Sequence, residues 1–388
     1  MKTGWLWLLF AAMAAAPSGA QVVREGADWV QTATGSATLA GGARLKVSTR
    51  GAVLLQGEAR QDIGYVLKKR VRAADLVRAR ALLDGVTLKT TRRDGGLALE
   101  VSLPAGGAAS ADLQLRVPRS LRETIVESQG ESIQAYDLDG ALRADSRGGR
   151  LQADRIQGDV TVRTGGGMVR LGKVGGSVMC FSGGGTISAD TIGGQAGLNT
   201  EGGEIYVRMA RGLVRASTRG GNIRVERAER GITASAQAGL IDVLEAGGPV
   251  IAETGAGSIR VRSANNVECQ AGTGAVQLRE VFGGLRVAMR SGSILAELAG
   301  KPLEDSTLST GAGDITVLIP SNLAVTIQAI NAFPGSRRIV SDFTEIRPRL
   351  AQAEAESEAQ GAINGGGPLL RLTASGGTIY LRRQKQIP

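Results

Sequence analysis

Histidine is absent from this 388-residue chain, and its absence limits the chemistry that the side chains can perform. Without histidine, the Ser-His-Asp and Cys-His arrangements, the commonest general base and most zinc sites are excluded. Carboxylate and lysine chemistry stay open. We assign no catalytic, cofactor-binding or metal-binding residues and predict that the chain is not an enzyme.

Cys180 and Cys269 carry the only two thiols of the chain. Both fall on the inward side of a strand that recurs with an 18-residue repeat, five repeats apart. At about 4.8 Å per stacked repeat they would be roughly 24 Å apart, whereas a disulfide needs Cα atoms within about 7 Å. We interpret both as small core residues without a catalytic or bridging role.

The glycine runs at 165–167 and 183–185 and the Gly272-x-Gly274 segment resemble phosphate-binding loops only superficially. A phosphate-binding loop lies between a strand and a helix, and no such context follows these runs. Calcium-binding solenoids place Asp regularly in their glycine-rich turns, but these turns carry Thr, Glu, Asn and Ser. The runs are therefore interpreted as turns of the repeat, where a positive φ is expected at pairs such as Gly202-Gly203.

Arginine supplies most of the net charge of +10, which favours an anionic partner. On the outward positions of the repeat, charges alternate in sign between neighbouring units, which gives modest support to the stack. Two such runs are Asp190–Arg208–Glu226 and Arg224–Asp242–Arg260. Fewer opposite charges neighbour Arg260, Arg262 and Arg279, and we predict that these three arginines form a weak anion-binding strip. The alternative is an arginine-rich solvated face with no dedicated partner.

These residues are positioned by the 18-residue repeat, which is marked by regularly spaced glycines through the middle of the chain. The register glycines are Gly149, Gly167, Gly185, Gly203, Gly221, Gly239 and Gly257, followed by Gly274, Gly292 and Gly313. The second and fourth residues after each are apolar and the residue between them varies, as in a half-buried strand. A second strand follows, for example Val160-x-Val162-x-Thr164, and its third position is small or hydroxylated.

One such unit cannot bury its apolar side alone, so stacked units must bury each other's residues, about 4.8 Å apart. Parallel strands joined by crossovers are almost always right-handed. The sequence therefore predicts an all-β fold, a right-handed parallel β-helix or solenoid with 18-residue rungs. In this fold Ile205, Ile223 and Ile241 lie on one another.

Both ends of the chain depart from the repeat and are predicted to cap the open rungs, which would otherwise promote aggregation. The predicted segments are a signal peptide at 1–20, a β-rich segment with one short helix at 21–125, solenoid repeats at 126–318, and a capping segment at 319–388 with a polar loop near 345–361. The helix is expected at 73–84 with Leu76, Ala79 and Leu83 on one side, and a hairpin turn at 93–96.

The resemblance of the chain to a known group rests on segments 44–51 (RLKVSTRG), 115–118 (LRVP), 361–367 (GAINGGG) and 376–379 (GGTI), together with the Gly-x-Ile-x-Val repeats. In their order, these segments resemble the bacterial putative-adhesin family of β-strand repeat proteins. The resemblance covers nearly all of the chain after residue 20. It implies a right-handed β-helix and an envelope or surface location.

The leading functional hypothesis is a non-enzymatic secreted or envelope scaffold, an adhesin or binding protein, without a cofactor. Its expected partners are an envelope polymer, an anionic polysaccharide or another envelope protein. A sequence-specific nucleic acid is not expected, because aromatic residues for base stacking make up only 3% of the chain. The alternatives are a β-helix polysaccharide lyase or hydrolase, which the short rungs disfavour, and an accessory subunit in envelope sensing.

The first twenty residues generate a testable expectation about location. Lys2 precedes an apolar run from Trp5 to Ala16, and Ser18-Gly19-Ala20 offers small residues at a cleavage site. The run is too short to span a bilayer comfortably, and no later segment reads as a transmembrane helix. We expect N-terminal sequencing of the secreted, periplasmic or cell-surface protein to begin near Gln21. Recovery of the uncleaved chain from the cytosol alone would contradict this expectation.

Overall fold

The computed structural model describes residues 21–39, 41–93, 95–332, 338–350 and 357–384 of the chain. Most of the described residues lie in β-strands, and one nine-residue helix is present among them. No helix in this part of the chain is long and apolar enough to cross a membrane. The predicted signal peptide at 1–20 lies outside the described residues, and so does Asp94 of the predicted hairpin.

The N-terminal elements supply the first parallel strands of the stack and the antiparallel strands that lie beyond them. They are β1 (Val22–Glu25), β2 (Asp28–Thr38), β3 (Arg44–Thr49), β4 (Val53–Glu58), β5 (Asp62–Val71), α1 (Leu76–Asp84), β6 (Thr87–Arg93), β7 (Gly96–Ser102) and β8 (Ala109–Pro118). Strands β3 and β4 pair in parallel with β7 and β8. The next pairings are antiparallel. Strand β8 pairs with β5, β5 with β2, and β2 with β1, while β7 pairs with β6. The antiparallel strands end the parallel pairing.

The short helix of this region is confirmed, with a later start than expected. The Asp75 carboxylate accepts a hydrogen bond from the Arg78 backbone N–H at 2.8 Å and so caps the first turn. Ala79 and Leu83 are buried, as predicted, but Leu76 is exposed because it stands in the first turn, outside the small cluster that the helix forms with Val71. The predicted hairpin is also confirmed, because Arg93 pairs with Gly96 across β6 and β7.

Two parallel ladders of short strands form the centre of the molecule and confirm the predicted β-solenoid. The strands are β9 (Glu123–Ser128), β10 (Ile133–Leu138), β11 (Ala141–Ser146), β12 (Leu151–Ile156), β13 (Val160–Thr164), β14 (Val169–Val174), β15 (Val178–Ser182), β16 (Ile187–Ile192), β17 (Ala196–Thr200), β18 (Ile205–Ala210), β19 (Val214–Thr218), β20 (Ile223–Ala228), β21 (Ile232–Ala238), β22 (Ile241–Ala246) and β23 (Val250–Ala256). Even-numbered strands form the first ladder and odd-numbered strands the second ladder.

Successive strands of each ladder pair in the 18-residue register that the sequence predicts. Ile223 pairs with Ile205 on one side and Ile241 on the other, which confirms the predicted stack. The inward residues of both ladders pack into one core, and the predicted apolar positions, such as Ile223 and Val225, are buried. A third inward position, seventh after the register glycine, was not predicted; Val174 and Ile192 occupy it.

The register glycines lie where consecutive rungs approach most closely. A Cβ added to Gly203 would collide with the Gly185 carbonyl group in the rung before it, and Gly221 meets Gly203 in the same way. The expected positive φ is wrong for these two corners, since neither glycine lies in the left-handed region. Close backbone approach, rather than an unusual φ, excludes a side chain there.

Buried hydroxyl groups join the rungs at the same corners. The Thr218 hydroxyl donates to the Gly203 carbonyl of the previous rung at 2.9 Å and accepts from the Gly221 backbone N–H at 3.2 Å. Thr200 makes the equivalent two bonds with Gly185 and Gly203. Each hydroxyl therefore satisfies two backbone groups that the tight corner removes from water.

Beyond β23 the coils continue within one long extended segment, β24 (Ile259–Leu303). Its residues 259–264 pair with β22 and residues 267–273 with β23. Residues with positive φ, including Asn266 and Glu280, turn its corners. Further along, Ile294 pairs with Ile315, so the wider glycine spacing before Gly313 is accommodated without losing the ladder.

The C-terminal elements repeat the arrangement of the N-terminal end. They are β25 (Ser306–Ala312), β26 (Ile315–Ile319), β27 (Val325–Asn331), β28 (Ile339–Ser341), β29 (Arg349–Leu350), β30 (Ser357–Ile363), β31 (Leu369–Ala374) and β32 (Ile379–Arg383). Strand β31 lies between β25 and β27, and strand β32 lies between β26 and β28. All four pairings are parallel. Strand β30 then pairs antiparallel with β27 and β29.

Two strands occupy described parts of the segment for which the sequence predicts a polar loop near 345–361. β30 is a full-length partner of β27, because its alternating Ser357 and Ala359 turn inward and are buried. Residues 351–356 of that segment lie outside the described part of the chain. The polar composition masked a strand with one buried face.

Replacing Ile223 by Asp should prevent folding, because an unpaired carboxylate would lie between Ile205 and Ile241 in the core. The matched control is Ile251→Asp, since Ile251 points outward from β23 and is 44% exposed. We expect circular dichroism to show native strand content and melting for the control and not for Ile223→Asp. Equal melting of the two variants would show that the inward assignment is wrong.

Replacing Thr218 by Val should weaken the corner at nearly constant volume. The Gly221 N–H and Gly203 carbonyl would each lose a buried partner, at a cost of about 1–3 kcal/mol. Thr218→Ser keeps the hydroxyl and serves as the control. We expect a lower urea midpoint for Val than for Ser, and equal midpoints would contradict a stabilising role for the hydroxyl.

Candidate functional site

The outward face of the first ladder carries charges that are mostly paired between rungs. Arg208 pairs with Asp190, as its alternating position predicts, and this contact lowers the pKa of the Asp190 carboxyl. Glu226, expected to face Arg208, instead accepts a hydrogen bond from the Tyr206 hydroxyl at 2.8 Å. Arg224 pairs with Asp242 at 3.5 Å. Pairing of this kind neutralises the middle of the face.

A stronger cluster lies at the N-terminal end of this face. Arg155 pairs with Asp137 of the preceding rung, with 2.6 Å between Nε and Oδ1, and also contacts Asp154. The guanidinium lowers the pKa of Asp137 to about 2. The backbone of Arg155 has a φ of 55°, in the left-handed region, so the strand bends at this residue. We assign this cluster a structural role, since its charges satisfy one another.

Arg260, Arg262 and Arg279 line one groove of about 370 Å³ on the same face. All three side chains are exposed, and no ion pair is formed by any of them within the described residues. Asp242 is the carboxylate that lines this groove, and it is paired with Arg224. The structure therefore brings the predicted strip together, and the groove has an excess of positive charge.

Stacked strands determine how these guanidinium groups are spaced. Asp242 lies opposite Arg260 in the pairing of β22 with β24, so Arg260 is one rung further along. Arg262 follows two residues later on the same strand and the same side. The lining is completed by uncharged residues, which are Leu244, Val261 and Gln277. Such a surface can bind oxygen anions through charge-assisted hydrogen bonds.

Both cysteines are where the sequence places them. Cys180 and Cys269 are buried and free, and they lie on the inward side of the second ladder. Burial raises the pKa of each thiol to about 12. Because the thiolate is the reactive form, neither group is suited to nucleophilic chemistry or metal binding.

A second and larger groove, of about 630 Å³, lies on the outward face of the second ladder and was not predicted from the sequence. Met179 and Phe181 line this groove, and their exposed fractions are 64% and 42%. The available signal was their spacing, since both alternate with inward Val178 and Cys180 and therefore had to point to solvent. Among the described residues, no three His, Cys, Asp or Glu side chains form a group that could hold a metal ion.

Comparison with known proteins finds no matching family model and no matching curated protein. Among solved structures, a putative cell adhesion protein from Clostridium sporogenes is similar at 9% identity, covering 91% of this chain and 100% of its own, with a TM-score of 0.18. A putative adhesin from Bacteroides fragilis is similar at 11% identity, covering 91% of this chain and 97% of its own, with a TM-score of 0.21. A putative adhesin from Parabacteroides merdae is similar at 10% identity, covering 91% of this chain and 96% of its own, with a TM-score of 0.24.

These similarities are too low to carry an argument about the chain. Each of the three identities is at or below 11%, and each TM-score is at or below 0.24. Their names agree with the family that the sequence resembles, but membership of that family stays a prediction. The function is therefore inferred from the surfaces of the chain itself.

Proposed function

We propose that the chain is a non-enzymatic binding scaffold, secreted or held in the cell envelope, that binds an acidic polymer along its first ladder. One observation carries the proposal: Arg260, Arg262 and Arg279 share one groove, without an ion pair, while its lining carboxylate, Asp242, is paired with Arg224. A polymer with regularly spaced anionic groups, such as an anionic polysaccharide, would supply the missing counter-charge.

The stack favours a polymer over a small anion. Rungs repeat about every 4.8 Å, so guanidinium groups on neighbouring rungs form a row rather than a closed cage. Like charges in such a row repel one another unless a partner or salt screens them. A bound polyanion would relieve this repulsion over several rungs at once. The location outside the cytoplasm rests on the predicted signal peptide.

The groove is less suited to the alternative, a β-helix polysaccharide lyase or hydrolase. Its basic side chains are guanidinium groups, which stay protonated and cannot accept a proton from a sugar. Asp242 is held by Arg224 at 3.5 Å. These features support binding without cleavage.

The test is a triple variant, Arg260→Gln, Arg262→Gln and Arg279→Gln, assayed for binding to polygalacturonate by isothermal titration calorimetry. Loss of three exposed charge contacts should weaken binding by about tenfold or more. High salt should weaken the wild type strongly and the variant little, because salt screens exposed charges.

A second triple variant, Arg143→Gln, Arg211→Gln and Arg286→Gln, is the matched control, because it removes the same charge from exposed arginines outside the groove. We expect it to bind as the wild type does. Equal weakening of both variants would show that only net charge matters, and absence of wild-type binding would refute the proposal. Release of shortened products would favour the enzyme alternative.

A further inference from the structure

The larger groove lies on a different face and has a different chemistry. It crosses β13, β15, β17, β19 and β21 on the outward side of the second ladder. Its volume of about 630 Å³ falls within the range of small-molecule sites, about 300–1,000 Å³. Most of its lining atoms are apolar, unlike those of the arginine-lined groove on the first ladder.

Gly197 forms the floor of this groove, and the fold does not require glycine there. A Cβ added to Gly197 would meet only the Val178 carbonyl oxygen, at an ordinary 3.8 Å. Gly203, six residues later, has no such space. Glycine inside a strand costs roughly 0.5–1 kcal/mol relative to alanine. The backbone therefore does not require glycine at this position, and the missing side chain leaves the floor of the groove open.

Two large apolar side chains form one wall of the groove. Met179 lies beside Gly197 in the strand register, and Phe181 lies beside Asn199. Both side chains point outward from β15 and are substantially exposed. Neighbouring exposed apolar side chains at the rim of a concave surface mark a ligand site more often than an isolated one does.

Charge in the groove is exclusively positive. Arg163 lies beside Phe181 in the register, and Arg215 lies beside Gly197. Both are exposed, no acidic residue lines the groove, and neither arginine forms an ion pair within the described part of the chain. The complementary ligand has an apolar body and an anionic group.

We propose that this groove binds a single molecule of an anionic amphiphile. Its alkyl or acyl chain lies over Gly197 against Met179 and Phe181. Its carboxylate, sulfate or phosphate group pairs with the guanidinium of Arg163 or Arg215. This site is separate from the arginine strip on the first ladder and does not depend on it.

The probe is decyl sulfate below its micelle-forming concentration, titrated into the full chain by calorimetry. We expect one molecule per chain, and binding about tenfold weaker or more in Gly197→Val, because the new side chain fills the floor. Gly197→Val should fold, since its Cβ has room and β-branched residues favour strands. Ser188→Val, on the first ladder outside either groove, is the matched control and should bind normally.

Single variants then assign the anionic end. Either Arg163→Gln or Arg215→Gln should weaken decyl sulfate, while uncharged decyl maltoside should bind the wild type weakly. Unchanged binding in Gly197→Val, equal affinity for decyl maltoside, or binding to phosphatidylglycerol vesicles without binding of monomeric decyl sulfate would each overturn the proposal. The triple variant of Arg260, Arg262 and Arg279 should bind decyl sulfate as the wild type does, which separates this site from the proposed polymer site.

Discussion

Close stacking of the rungs at their glycine corners is the constraint on which the rest of the structure depends. Gly185, Gly203 and Gly221 leave no space for a side chain between consecutive carbonyl groups. Thr200 and Thr218 bridge the same corners from the inside. If these corners did not close, the strands of neighbouring rungs could not stay in register, and the isoleucine and valine rows would no longer cover one another.

This constraint leaves the outward positions free to differ, and the two ladders use that freedom differently. On the first ladder, contacts such as Arg208 with Asp190 pair charges between rungs, whereas Arg260 and its neighbours carry an excess of positive charge. On the second ladder, Gly197 interrupts the row of outward side chains and leaves Met179 beside an open floor. Two grooves with different lining chemistry thus arise from one repeating backbone.

The sequence predicts the solenoid well because its signal is periodic and its pairing is local. Ile223 and its neighbours could be placed because equivalent positions keep the same 18-residue spacing throughout the centre. The partner of Glu226 could not be predicted, because Tyr206 and Arg208 lie on the same strand, and side-chain rotamers decide between them. The role of Gly197 was hidden because the chain contains 57 glycines, and only the space around each one distinguishes them.

The members of the arginine strip and their outward positions were predictable, but the groove that they line was not. Counting charges along the repeat singled out Arg260, Arg262 and Arg279, but only the strand register shows that they share a groove with the Arg224–Asp242 pair. Among the terminal pairings, the β6–β7 hairpin was predictable from its turn, but the long-range pairings were not. Strands β3 and β4 contact β9 and β10 although β5 to β8 intervene in the chain, and no periodic spacing announces such a contact.

The order of rungs at the C-terminal end has a consequence for how the molecule is assembled. Strands β31 and β32 lie inside β27 and β28, although they come later in the chain. Central rungs can be added one after another as the chain emerges, since each needs only the rung before it. The final rungs cannot, because β27 has to wait for a segment not yet made. Closing the 64-residue separation between Ser306 and Leu370, rather than 18, adds about 1 kcal/mol of loop entropy. The parallel stack at this end is therefore completed only after β31 and β32 have been made, and β27 and β28 then pair on their far side.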